Sequence, residues 1–166
     1  VIISYSWIFA ALTDFNGRLQ ARDIVRFLYN AAKITVEQSN NIQFEKWSTS
    51  RLLPPQSIRK ALKPCSEKKV EEAKEEYPEF EKWVETLRQY SVELRSIPFA
   101  VEKFGMEPKT VRILEDMGVI YEDKEKEDIA RFYMPEIFRE GLGFSGTGAR
   151  PRVLALKRKV LGRGII

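Results

Sequence analysis

Ile24, Phe27, Leu28 and Ala31 recur at the spacing of one helix face, and Ala21, Val25 and Ala32 widen that face. On the other side Arg18, Arg22 and Arg26 follow one another every four residues, continued by Asn30 and Lys33. The dipeptide Asn16-Gly17 tolerates positive φ and reads as the turn that feeds this helix. A chain with this run must bury one side of a helix and leave the other to carry three guanidinium groups. Arginine stands at all three positions although lysine is plentiful elsewhere, and its planar fork suits bidentate contact with phosphate or carboxylate. The plain alternative is a solvated charged face.

The chain has 166 residues, enough for one good core or two small ones. With 43% apolar and 31% charged residues it has the composition of a soluble globular protein, and no run of 18 apolar residues reads as a membrane-spanning helix. It opens on Val1-Ile2-Ile3, with no initiator Met and no signal-peptide pattern, which reads as the interior of a longer protein in the cytoplasm. Histidine is absent, so the chain itself cannot supply Ser-His-Asp or Cys-His catalysis or a histidine-ligated metal. Cys65 is the sole cysteine, which rules out an internal disulfide and fits a reducing compartment. Between Pro64 and Ser66 it reads as an incidental small residue. No catalytic residue and no metal site is assigned, and the fragment is not expected to be an enzyme.

Tyr5 to Thr13 is apolar on most sides and is expected as a helix under the arginine helix. Asn40 to Arg51 is polar apart from residues such as Phe44 and Trp47. Pro55 then suits a first helical position, Lys63-Pro64 reads as the close of a short helix, and Ser66 as the N-cap of the next, Glu67 to Tyr77. The charges of that second helix read as a solvated face. Pro78 opens a stronger amphipathic helix to about Leu94, with Phe80, Trp83, Val84 and Leu87 on its apolar side.

From Ser96 onward the order is a short strand or turn, a short helix to Phe104, a turn at Gly105, and a helix from Lys109 to Met117 stopped by Gly118. Two β-type runs, Val119–Glu122 and Ile129–Met134, then make a hairpin. Helix, turn, helix and hairpin are the order of a winged helix. The parts that would touch DNA are not cationic. Lys109 and Arg112 face Glu107, Glu115 and Asp116, and the hairpin tip from Glu122 to Asp128 is net acidic, so protein or intramolecular contact is favoured over DNA. The positive charge lies at Arg150, Arg152, Lys157, Arg158 and Lys159, a segment able to contact phosphate backbone or an acidic partner, or simply solvated. Gly141 to Gly148 matches G-x-G-x-x-G in letters only, since it follows a helix and leads into Arg-Pro, and it reads as a flexible linker.

Gly17, Ala21-Arg22-Asp23-Ile24, Arg26-Phe27-Leu28 and Ala31-Ala32 resemble the lid helix of AAA-like and STAND-like P-loop ATPases. Lid helices followed by a winged helix are also the order at the C-terminal end of many such proteins, so the resemblance extends over most of the chain. It implies a mainly α fold with a helical lid-like module at 1–77, a winged-helix domain at 78–144 and a basic tail at 145–166. It further implies that Arg22 senses the terminal phosphate of a nucleotide, with Arg18 and Arg26 beside it, and that the partner is an upstream ATPase core or a neighbouring subunit. No G-x-x-x-x-G-K-[ST] loop occurs, so ATP and Mg belong to the parent protein and no cofactor to this fragment. The other reading is a winged-helix DNA-binding regulator that uses the basic tail, and a third is an adaptor that contacts protein alone.

Overall fold

The computed structural model describes residues 5–40, 52–123, 131–146 and 157. It is mainly helical, with α1 (Tyr5–Leu12), α2 (Ala21–Glu37), α3 (Pro55–Glu76), α4 (Pro78–Arg88), α5 (Pro108–Asp116) and α6 (Glu136–Arg139). Among the described residues four two-residue strands, β1 (Ser96–Ile97), β2 (Tyr121–Glu122), β3 (Phe132–Tyr133) and β4 (Ser145–Gly146), make two small sheets. β2 and β3 form an antiparallel hairpin with Tyr121 opposite Tyr133, and β1 pairs in parallel with β4. Phe99 adds a single bridge to Phe132, so the hairpin gains a third strand position. No helix among the described residues is long and apolar enough to cross a membrane.

One cluster of buried residues runs from Ala11 on α1 through Phe27, Cys65 and Phe80 to Leu114 and Phe144. α3 lies against α2 along one side and against α6 and α4 along others. The core thus continues across residue 77, where Tyr77 alone separates α3 from α4.

α3 is continuous through Pro64, which corrects the expected break there and the N-cap role of Ser66. A proline inside a helix costs about 3 kcal/mol. Here Ala61, Leu62, Cys65 and Ser66 on both sides of it are buried, so packing outweighs the lost hydrogen bond. Ser66 Oγ has a tertiary role instead: it donates to Ile137 O at 2.7 Å and accepts from Gly141 N at 2.7 Å. A Cβ on Gly141 would stand 2.7 Å from the Ser66 carbonyl carbon, so glycine is required for α3 and this turn to meet. The expected flexible linker is therefore corrected as far as Gly146: Leu142 and Phe144 are buried and β4 is paired. Gly148 lies outside the described residues, as do Phe44, Trp47 and the hairpin tip at 124–130.

Two further expectations are adjusted. The buried side of α2 is Asp23, Phe27, Ala31 and Thr35, whereas Ala21, Val25, Leu28 and Ala32 are exposed. The helix is rotated because α3 supplies Asp23 with a cation and Thr35 Oγ donates to Ala31 O at 2.7 Å, so both polar groups are buried satisfied. α4 ends at Arg88 and not near Leu94. Arg95 ends it, its guanidinium donating to Leu87 O at 3.0 Å and Tyr90 O at 2.9 Å.

Candidate functional site

The turn before α2 is built by Asp14. Its Oδ1 accepts from Asn16 N and Arg18 N, both at 2.8 Å, and Gly17 takes a φ of 77°. Burial pushes the Asp14 carboxyl above its ordinary 3.8, against the backbone hydrogen bonds from Arg18 and Asn16. The turn is docked on the end of α5. Asn16 Nδ2 donates to Asp116 O at 2.7 Å, Arg18 Nη2 reaches the same oxygen at 3.2 Å, and Phe15 N donates to Gly118 O at 3.1 Å. These groups satisfy carbonyls that a helix C-terminus leaves open. Gly118 has a φ of +73°, and a Cβ there would lie 2.9 Å from Asp14 Cγ.

The three arginines of the stripe have different situations. Arg18 caps α5. Arg26 is held by Glu72 at 2.6 Å and by Asp23 at 3.3 Å, with only 20% of its side chain exposed. Arg22 keeps 53% of its side chain exposed; Nε donates to Gln20 Oε1 at 2.9 Å and Nη2 stands 3.4 Å from Glu72 Oε2. Lys69 closes the group, bonded to Asp23 Oδ2 at 2.9 Å and Gln20 Oε1 at 2.7 Å. Lys69 and Glu72 therefore correct the reading of their helix as a solvated face. Burial pushes Glu72 up, but the Arg26 hydrogen bond and the charges of Arg26, Arg22 and Lys69 prevail and hold its carboxyl below the ordinary 4.5.

A cleft of about 210 Å³ opens at this point. Arg18, Arg22 and Lys69 line it together with Asp14, Glu72 and Glu76, while Met117 and Phe138 supply apolar wall. Its formal charge is balanced, three cations against three carboxylates. The first turn of α2 has no side-chain cap, which leaves amide donors beside Arg22. Arg22 is thus the cation of the stripe that can turn toward an incoming anion at small cost, since an exposed 3.4 Å pair is worth little.

Lys157 lies in the interior and not on the surface. It is completely buried, and Nζ donates to Ala10 O, to Thr13 O at 2.7 Å and to Glu136 Oε2 at 3.2 Å. This corrects its grouping with an exposed basic segment: the ammonium caps the end of α1. Arg150, Arg152, Arg158 and Lys159 lie outside the described residues. Cys65 is buried against α2, its Sγ 3.5 Å from Asp23 O. Burial and the Asp23 charge push its thiol up to about 11, so it is no nucleophile.

Asp14 and Asn16 have a sequence signal, since Asp-x-Asn-Gly is turn chemistry. Lys69 and Glu72 have none that separates them from their neighbours in a Glu/Lys-rich run. Comparisons of the chain with protein-family models, with curated proteins and with solved structures give no match.

Proposed function

We propose that this chain is the nucleotide-sensing and regulatory part of a P-loop ATPase whose catalytic core lies outside the sequence, with Arg22 contacting the terminal phosphate. The observation that carries the reading is the half-free Arg22 guanidinium at the uncapped start of α2, in a cleft shared with Arg18 and Lys69. The residues fit a single contact and not a whole nucleotide. Three carboxylates in the same cleft offset the cations, so polyphosphate and Mg must be held elsewhere. An arginine acting in cis on a phosphate held by the core is the role such a site can fill. When bound, the nucleotide supplies the charge that draws Arg22 away from Glu72.

The downstream half fits a winged helix used for protein or intramolecular contact. Support comes from the order α4, β1, the 3₁₀ turn at Val101–Phe104, α5 and the β2–β3 hairpin, and from the Phe99–Phe132 bridge beside that hairpin. Asn16 and Arg18 tie the sensing turn to the C-terminus of α5, so movement at the cleft is transmitted to this unit. The DNA-binding alternative loses Lys157 from its basic segment, and the exposed Lys109 and Arg112 of α5 are offset by Asp116 on the same helix and Glu107 at its N-cap.

ATP turnover by the parent ATPase tests the proposal. Arg22→Ala is expected to lower turnover at least about tenfold, equivalent to ~1.4 kcal/mol of transition-state stabilisation. Unchanged turnover would remove the nucleotide from the account.

A further inference from the structure

Asn16 is the one asparagine of the chain that a glycine follows; Asn30, Asn40 and Asn41 precede Ala31, Asn41 and Ile42. Glycine has no Cβ to hinder attack by its own nitrogen on the preceding side-chain amide. The pair lies at the surface, with Asn16 exposed and Gly17 half-buried. In the docked turn both reacting groups are engaged. Gly17 N donates to Asp14 O at 3.2 Å, and Asn16 Nδ2 donates to Asp116 O at 2.7 Å and to Glu115 O at 3.4 Å. Ring closure at Asn16 therefore requires Gly17 to leave Asp14, which is a local opening of this turn.

We propose that Asn16 is a site of spontaneous deamidation, and that the modification irreversibly releases the 14–18 turn from α5. The Gly17 nitrogen gives its proton to base and bonds to Asn16 Cγ, the Cγ–Nδ2 bond breaks, and ammonia leaves behind a succinimide. Water then adds at either ring carbonyl, and the ring opens to aspartate or isoaspartate. Neither product restores the dock. A carboxylate has no hydrogen to donate, and it meets the carbonyl oxygens of residues 115 and 116, where a helix C-terminus is already negative. Asp14 adds a second repulsion, because Asp14 Cγ and Asn16 Nδ2 both stand against Gly118, 2.9 and 3.1 Å from where a Cβ would lie. Isoaspartate also lengthens the backbone inside a turn that Asp14 Oδ1 closes on Asn16 N and Arg18 N, both at 2.8 Å. This turn joins the cleft to α5, so its release uncouples the two, whatever Arg22 contacts.

The test incubates the full 166-residue chain in mildly alkaline buffer, folded and in urea, and follows residue 16 by peptide mass spectrometry with isoaspartate labelling. Conversion is expected first at Asn16 in both, and at least about tenfold slower in the folded chain, since only the opened turn reacts. Arg18→Ala, which removes a neighbouring bond to Asp116 O, is expected to narrow that difference. In the folded, deamidated species, separated by ion exchange, the Phe15 amide is expected to lose its exchange protection while α3 keeps its own. Asn16→Asp is expected to lower the thermal midpoint a few degrees further than Asn16→Ala, which removes the donor without adding the charge. The proposal is overturned by no conversion in the folded chain, by equal rates folded and in urea, or by an Arg18→Ala chain protected as well as wild type. Phe15 protection that survives conversion, or equal midpoints for N16D and N16A, would overturn it as well.

Discussion

Arg95 and Lys157 do the same work at two helix ends, each placing cationic donors on carbonyls that the helix leaves open. Burial lowers the pKa of both, with Arg88 adding to the effect at Arg95, whereas Glu136 opposes it at Lys157. Replacing Lys157 with Met removes the donor from Ala10 O and Thr13 O and leaves Glu136 without that cation. At about 1 kcal/mol for each orphaned group, partly offset by the smaller desolvation of Met, a loss of about 2 kcal/mol is expected in urea unfolding. An unchanged midpoint would show that the ammonium contributes nothing net. Glu72 gives a pH signature. Its folded pKa lies below the unfolded one, so its contribution is complete above pH 4.5 and is lost as pH falls through the folded value. Glu72→Gln is therefore expected to flatten the acid limb of the stability curve relative to wild type. Asp14, raised by burial, contributes with the opposite sign and is common to both proteins.

Between elements, the tightest approach is that of α3 to the turn after α6. Gly141→Ala forces a Cβ to within 2.7 Å of the Ser66 backbone and is expected to cost about 1–3 kcal/mol, visible as a fall in thermal midpoint. Ser66→Ala in the same protein should cost less than its separate effect, because the contact is already opened. This junction was hidden in the sequence. Pro64 and Ser66 carry the local signals of a helix end and a helix start, and only the burial of Ala61, Leu62 and Cys65 against other elements reverses them. The glycines that follow α6 read as a linker for the same reason, since nothing local announces that one of them must admit a backbone. The elements were legible where local chemistry and packing agree. The glycine stop at Gly118, a hairpin between the runs that hold Tyr121 and Tyr133 and the existence of the arginine helix follow from pattern, whereas the register of the hairpin and the buried face of the helix do not. The inter-helix register that pairs Arg26 with Glu72 and Lys69 with Asp23 does not, because a run of glutamates and lysines gives every register some ion pair.

At the scale of the whole molecule, one core links the helices around the arginine cleft to the α5–hairpin unit, and the Asp14–Gly17 turn touches both. Arg26 holds α2 on α3, whereas Arg22, one helical turn away, is proposed to read a phosphate. The measurement that separates these roles is the affinity of the proposed parent ATPase, intact, for ATP and for ADP, in wild type and in Arg22→Ala, by calorimetry. An arginine on the terminal phosphate predicts that Arg22→Ala weakens ATP by about tenfold, or ~1.4 kcal/mol, and leaves ADP affinity and thermal stability as they were. Equal weakening of both nucleotides, or no change in either, would contradict the role given to Arg22.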